Sequence, residues 1–307
     1  MMFYEIEFPL AALSSAEVEA ALFEVGASSI TFLDGGNEPV LEPKPGEIRL
    51  WSDTVVRALF DESHDAMQSL GRLADRLGPH ITACASVQAV KNQDWERAWL
   101  AGWKPMRFGG RLWVCPTEAD APQEANAVVV RLDPGLAFGT GTHPTTALCL
   151  QFLDAMPLAG RSVIDYGCGS GILGIAALKL GASQVVAVDL DPQALLATRE
   201  NAVRNAVSAR LRTQAAPRGT QAAPRGTQAA PGALEPADLV LANILAEPLI
   251  ELAPILTGAC RIRGDLILSG LLRTQAYAVK TAYGSAFDMV HVVGQDDWCC
   301  IHARRAS

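Results

Sequence analysis

The sequence predicts an α/β protein: a doubly wound, mainly parallel sheet preceded by a small α+β domain. Three observations carry this. From residue 145 onward, short apolar runs alternate with helical patterns, as a parallel sheet covered on both faces requires. Within that region Val163-Ile164-Asp165-Tyr166-Gly167-Cys168-Gly169-Ser170-Gly171 is a buried-strand run ending in an acid and then in three alternating glycines. A helical segment follows, and a second strand ends in Asp189, which completes a nucleotide-type βαβ unit. The third observation is the order βαββαβ over the first 90 residues, the order of a ferredoxin-like domain.

In that first domain, residues 4–8 alternate like a strand. Ser14-Ser15-Ala16-Glu17 has the form of a capping box, opening a helix with Val18, Ala21, Leu22 and Val25 on one face and Gly26 as its stop. A strand at 29–33 leads into a loop marked by Gly35, Gly36, Pro39, Pro43 and Pro45. One or two strands at 49–60, a helix at 64–77 and a strand at 85–90 complete the domain. Residues 91–106 form a tryptophan-rich linker with a short helix, containing Trp95, Trp99 and Trp103. The larger domain spans 107–307 and opens with strands at 108–116 and 127–132. It continues with helix 145–156, strand 162–166, helix 171–180, strand 184–189 and helix 192–206. Strand 238–242, helix 247–257, strand 265–269, helix 273–282 and a final strand pair near 287–293 and 297–303 follow.

An internal repeat interrupts this series. Thr213-Gln214-Ala215-Ala216-Pro217-Arg218-Gly219 recurs at 220–226, and a third copy begins at Thr227. Proline and glycine in every copy exclude a continuous helix, and the small polar composition cannot bury a core, so 213–232 reads as a disordered surface insertion.

Half of the 307 residues are apolar and 19% are charged, which suits a compact folded chain with a substantial core. No apolar run reaches the length of a membrane span, and the N-terminus lacks the pattern of a secretion signal. Seven cysteines without C-x-x-C spacing suggest neither a metal site nor a disulfide framework, so a reducing cytoplasm is expected. The net charge of −8 is concentrated in residues 1–90, where 14 acids face 5 bases. Such a domain repels nucleic acid and steers a basic protein partner; the blander alternative is an acidic surface kept for solubility.

The segment Gly169-Ser170-Gly171-Ile172-Leu173-Gly174 matches G-x-G-x-x-G, the dinucleotide fingerprint. In that fingerprint the loop and helix N-terminus hold a pyrophosphate, yet here the strand before the loop ends in Asp165, whose charge opposes phosphate. A cofactor with a cationic end fits better. S-adenosylmethionine carries an ammonium and a sulfonium and has no phosphate: Asp165 favours the cationic end, directly or through water. The backbone at Gly167 and Gly169 approaches the cofactor, and Asp189 accepts both ribose hydroxyls. Asn243 ends the strand Asp238-Leu239-Val240-Leu241-Ala242 and orients a reacting amine or contacts the cofactor; a helix N-cap is the alternative. Residues 135–146, rich in glycine and threonine, suggest a lid with a threonine hydroxyl toward the methionine part. His143, at a helix entrance, is read as structural rather than as a general base.

Gly139-Thr140-Gly141-Thr142-His143-Pro144-Thr145-Thr146, the glycine loop 165–171 and Ala242-Asn243-Ile244-Leu245 together resemble the PrmA family, the bacterial methyltransferases of ribosomal protein L11. Asp94-Trp95, Trp103-Lys104-Pro105 and Leu112-Trp113-Val114-Cys115-Pro116 are similar to that family as well. The resemblance implies a class I S-adenosylmethionine-dependent methyltransferase domain, an N-terminal ferredoxin-like domain that recognises the ribosomal protein, and a mobile linker. It also implies Thr146, Gly167, Asp189 and Asn243 as cofactor contacts, and methyl transfer to lysine ε-amines and an N-terminal α-amine. A monomer with no metal, no membrane contact and no direct contact to nucleic acid is expected. No catalytic residue is assigned. The repeat departs from the family pattern: it falls where such folds place a strand and a loop beside the adenine, leaving the strand at 211–214 and the adenine partner open.

A methyltransferase of another protein or small-molecule amine, and an NAD-dependent dehydrogenase, are the competing readings. Titration calorimetry separates the last from the others: heat of binding is expected with S-adenosylmethionine and none with NADH, and the reverse result selects the dehydrogenase.

Overall fold

The computed structural model describes residues 2–36, 50–91, 104–120, 122–133, 141–216 and 234–307. The chain forms two compact units, Met1–Trp99 and Leu100–Ser307. The linker helix expected within 91–106 and the first half of the lid, 135–140, lie outside the described residues.

The first unit runs β1 (Met2–Pro9), α1 (Ser15–Glu24), β2 (Ser29–Asp34), β3 (Thr54–Phe60), α2 (Ala66–Leu77), α3 (His80–Cys84) and β4 (Ser86–Lys91). The four strands pair antiparallel in the order β2-β3-β1-β4, which is the ferredoxin-like arrangement expected from the sequence. Strand alternation sends Ile6, Phe8, Val56, Ala58 and Phe60 to one core with Val18, Leu22, Leu70 and Leu73 of the helices. On the other face Arg57 pairs with Glu7 at 2.8 Å and Glu5 at 3.5 Å. One local expectation is corrected: Ser14 occupies the N-cap of α1, but its side chain makes no capping hydrogen bond. Asp65 instead caps α2 by accepting from the Gln68 N–H at 2.8 Å.

The second unit begins with a three-stranded sheet, β5 (Met106–Phe108), β6 (Leu112–Cys115) and β7 (Val128–Arg131). The single strand expected at 108–116 is thus a hairpin. Gly109-Gly110 makes its turn, and Asp154 accepts from the Gly110 N–H at 2.6 Å. There follow α4 (Pro144–Ala155), β8 (Ser162–Tyr166), α5 (Ile172–Lys179), β9 (Gln184–Asp189), α6 (Pro192–Arg204), β10 (Leu211–Ala215) and β11 (Ala237–Asn243). α7 (Ala246–Glu251), α8 (Ala253–Ala259), β12 (Cys260–Leu272), α9 (Ala276–Tyr283), β13 (Phe287–Gln295) and β14 (Trp298–Arg305) complete the unit. The helix expected at 247–257 is two helices, because Pro254 falls in the first turn of the second and cannot donate into a continuous ladder.

The seven-stranded sheet has the order β10-β9-β8-β11-β12-β14-β13. Strands β8 to β12 are mutually parallel, and β14 is antiparallel to both its neighbours. Core residues of α4, α5 and α6 pack with Val163, Val185 and Leu239 on one face; those of α7, α8 and α9 pack with Ile164, Val240 and Leu266 on the other. The repeat boundary needs correction. Thr213, Gln214 and Ala215 of the first copy belong to β10, and Ala216 is buried and donates its N–H to the Asp189 carbonyl at 2.9 Å. Pairing with β9 overrides the loop-like composition of this copy, and it also establishes the strand that the sequence left open. Residues 217–232 lie outside the described residues.

At the N-terminal end of the parallel strands, Asp265 of β12 is buried and accepts from His302 Nε2 at 2.8 Å, and from Arg161 at 2.6 Å. Arg304 lies 3.4 Å away. Burial alone raises a carboxyl pKa, but these donors outweigh it and hold Asp265 at about 2. Because that value lies below the unfolded one, near 3.9, the stabilisation is complete above about pH 5 and is lost as pH falls through about 2. Asp265→Asn is expected to cost about 3–5 kcal/mol at pH 7 by leaving Arg161 without its counter-ion. In urea unfolding, the difference from wild type should shrink as pH is lowered from 5 to 3.

Candidate active site

Strands β8 and β11 are neighbours, yet their connections leave in opposite directions. After β8 the chain passes by α5 toward β9, and after β11 it passes by α7 and α8 toward β12. This is the topological switch point at which open α/β sheets bind ligands. Tyr166 pairs with Ala242, so the next residues, Gly167 and Asn243, stand side by side at its mouth.

Gly167 adopts φ +76°, and a Cβ there would lie 2.3 Å from Ile244 Cγ2. The conformation and the space both require glycine, and they leave the backbone bare beside the crevice. The Gly167 and Cys168 N–H groups donate to the Val188 carbonyl at 2.7 and 3.0 Å, tying the loop to the end of β9. Asp189, half-buried at that end, accepts from the Gly169 N–H at 2.9 Å and from the Asp191 N–H at 3.0 Å. One N–H on each carboxylate oxygen leaves a second acceptor position on each, which matches a vicinal diol. Asp189 also occupies a loop N–H that a dinucleotide pyrophosphate would use, and sets a negative charge there.

Asp165 is not where the sequence argument put it. Its side chain is buried under the loop, and Oδ2 accepts from the Gly174 N–H of α5 at 2.9 Å. Burial drives its carboxyl up to about 7 against that hydrogen bond, with the Asp189 charge adding to the rise. Asp165 therefore joins β8 to α5 and does not line the crevice, so the expected direct contact with a cationic cofactor end is corrected to a structural one.

Asn243 is half-buried, and its Nδ2 donates to Thr146 Oγ1 at 3.1 Å. Its Oδ1 is buried without a hydrogen-bond partner among the described residues. A buried carbonyl oxygen left open at a strand end is an acceptor awaiting a donor. The N-cap alternative is not realised: Leu245 holds the N-cap of α7. Thr146 itself is fully buried in the first turn of α4, behind Asn243. His143 is the N-cap of that helix. Nδ1 lies 2.8 Å from Thr145 Oγ1 and accepts from the Thr145 N–H at 3.4 Å, and the ring meets Trp298 edge-on at 4.8 Å between centroids. Burial lowers its pKa, so the neutral ring prevails at pH 7.

Sequence reasoning missed the supports of the loop. Thr198 of α6 donates to the Gly169 carbonyl at 3.0 Å and Asn201 to the Ser170 carbonyl at 2.8 Å. Both are buried and sit three residues apart on one helix face, a polar pair on a core-facing stripe that the helical period makes visible.

The donor set fits S-adenosylmethionine. Asp189 offers acceptors to a ribose diol, the Gly167–Gly169 backbone is bare, and the unpartnered Asn243 oxygen suits an N–H donor. The fold and the site define a class I S-adenosylmethionine-dependent methyltransferase. A sequence profile described as "Ribosomal protein L11 methyltransferase (PrmA)" matches residues 2–306. The ribosomal protein L11 methyltransferase of Mannheimia succiniciproducens is 48% identical over 282 residues, covering 91% of each chain. That of Escherichia fergusonii is 46% identical over 305 residues, covering 99% of this chain and all of its own. A crystal structure of ribosomal protein L11 methylase from Lactobacillus delbrueckii subsp. bulgaricus superposes with a TM-score of 0.57 at 30% identity, over 67% of this chain and all of that one. The chain belongs to the ribosomal protein L11 methyltransferase family.

Gly167→Ala tests the cradle. The added methyl must displace Ile244, and affinity for S-adenosylhomocysteine by calorimetry is expected to fall at least tenfold, with the melting temperature lowered by only a few degrees.

Proposed function

We propose that this protein transfers methyl groups from S-adenosylmethionine to lysine ε-amines and the N-terminal α-amine of ribosomal protein L11. It does so as a cytoplasmic monomer without contacting nucleic acid. Family membership over residues 2–306 supports the substrate. The observation that carries the chemistry is the Asn243 amide, pinned through Nδ2 to Thr146 and open at Oδ1. Among the described residues no helix is long and apolar enough to cross a membrane.

In this reading Asp189 accepts the ribose hydroxyls, and the backbone of Gly167 and Gly169 lies against the cofactor. Asn243, braced from behind by Thr146, holds the end that carries the methyl group. S-adenosylmethionine supplies a methyl group already activated by its sulfonium. What remains for the protein is alignment of the acceptor nitrogen. Lysine, with a pKa near 10.4, arrives mainly as the cation, which has no lone pair. Entry into a dry crevice favours its neutral form, and an acceptor-only oxygen such as Asn243 Oδ1 binds an amine N–H while leaving the lone pair free. His143 serves no proton transfer here: Nδ1 is engaged with Thr145, and the ring stacks its edge against Trp298.

The first unit is the proposed docking module for the ribosomal protein. Its −9 balance over residues 1–90 suits a basic substrate, and Glu5 and Glu7 lie on the sheet face opposite the helices.

Mass spectrometry of purified L11 after incubation with the enzyme and S-adenosylmethionine should show mass gains in steps of one methyl, and an unchanged mass sinks the substrate assignment. With His143→Ala, the rate at pH 8 and 9 should stay within about threefold of wild type once cofactor binding is saturated. A sharp loss over that interval would make His143 the base instead.

A further inference from the structure

The link between Thr146 and Asn243 joins two elements that are distant in sequence, and a third element holds them in register. Ser269, near the end of β12, is fully buried and pairs in register with Asn243. Its hydroxyl donates to the Thr145 carbonyl in the first turn of α4 at 3.1 Å, with the Cys299 carbonyl of β14 at 3.5 Å as a second acceptor. Its own carbonyl accepts from the Ile244 N–H at 3.1 Å. The next residue, Gly270, has φ +84°, and a Cβ there would lie 2.4 Å from the Ile244 carbonyl oxygen. The backbones of β12 and of the segment after β11 therefore meet at a distance only glycine allows. A ring of contacts results: Asn243 to Thr146 by side chains, Thr145 to Ser269 by carbonyl and hydroxyl, and Ser269 back to Ile244 by the backbone.

We infer that Ser269 is a positioning residue for methyl transfer, fixing the first turn of α4 so that Thr146 stays in reach of the Asn243 amide and holds it in place. An amide can rotate by half a turn at little cost, exchanging oxygen for nitrogen. The Thr146 hydroxyl, which accepts from Nδ2 here, restrains the amide only while it stays within hydrogen-bond reach. The Ser269 hydroxyl holds that first turn from the strand beside Asn243. A serine at this buried place is otherwise unfavourable, since an apolar residue of similar size would pack there without a hydroxyl to satisfy. The inference rests on the reading of Asn243 and Thr146 given above.

A double-mutant cycle tests it, with Ser269→Ala and Thr146→Val made singly and together. Two quantities are read: kcat on L11, and affinity for S-adenosylhomocysteine by calorimetry. Ser269→Ala is expected to lower kcat about tenfold in the wild-type background and less than twofold in the Thr146→Val background, where the link to Asn243 is already cut. Affinity should show the same non-additivity. Equal losses in both backgrounds, or no loss in the wild-type background, overturn the inference and leave Ser269 a packing residue. Ser269→Cys, nearly the same size with a weaker donor, should fall between serine and alanine in kcat at unchanged melting temperature; activity that follows melting temperature instead counts against positioning. If L11 is not methylated at all, the substrate reading fails, while the affinity cycle still decides the role of Ser269.

Discussion

Everything at the site depends on the way two parallel strands end side by side while their chains depart in opposite directions. β8 stops at Tyr166, paired with Ala242, and β11 one residue further at Asn243, and neither crossover closes the space above them. The gap is a consequence of topology and not of any one side chain. Glycine at 167 keeps it open on one side, because its backbone occupies a conformation and a space denied to other residues. On the other side, Asn243 presents a buried amide with one end satisfied and one end open.

The polar groups around this gap divide the labour by depth. Asp165 lies beneath the loop and ties β8 to α5; Thr198 and Asn201 brace the loop from α6; Asp189 holds its Gly169 N–H from β9. Each of these bonds ends on a backbone group, so the protein's own side chains hold the loop, which favours alignment. The buried charge pairing around Asp265 sits at the far end of the same sheet. There it secures β8, β12 and β14 to each other without placing further charge near the crevice.

Much of this was legible in the chain itself. Strand and helix order in both units followed from periodicity, since a pattern of two or of 3.6 residues reports which face is buried regardless of partners. Asp189 and Asn243 were found as polar residues ending apolar runs. Local chemistry misled where pairing decided the outcome. The first repeat copy, Thr213 to Ala215, has the composition of a loop but is held as an edge strand by β9, and Gly109-Gly110 turns a strand-like run into a hairpin. Ser14 has the spacing of a capping box without its hydrogen bond. Asp165 was assigned to the ligand because sequence shows that an acid ends the strand but not toward which side of the loop it points.

By itself the sequence determined the two-part organisation, the glycine loop, the acid that follows it on β9, and the family, because these depend on residue type and on spacing along the chain. Only the tertiary structure decided which polar groups meet: Asn243 with Thr146, Ser269 with Thr145, Asp165 with Gly174, Thr198 and Asn201 with the loop. These contacts join elements separated by up to 124 positions in the chain. They arise from strand register and helix packing, which bring together residues whose relation no local pattern records.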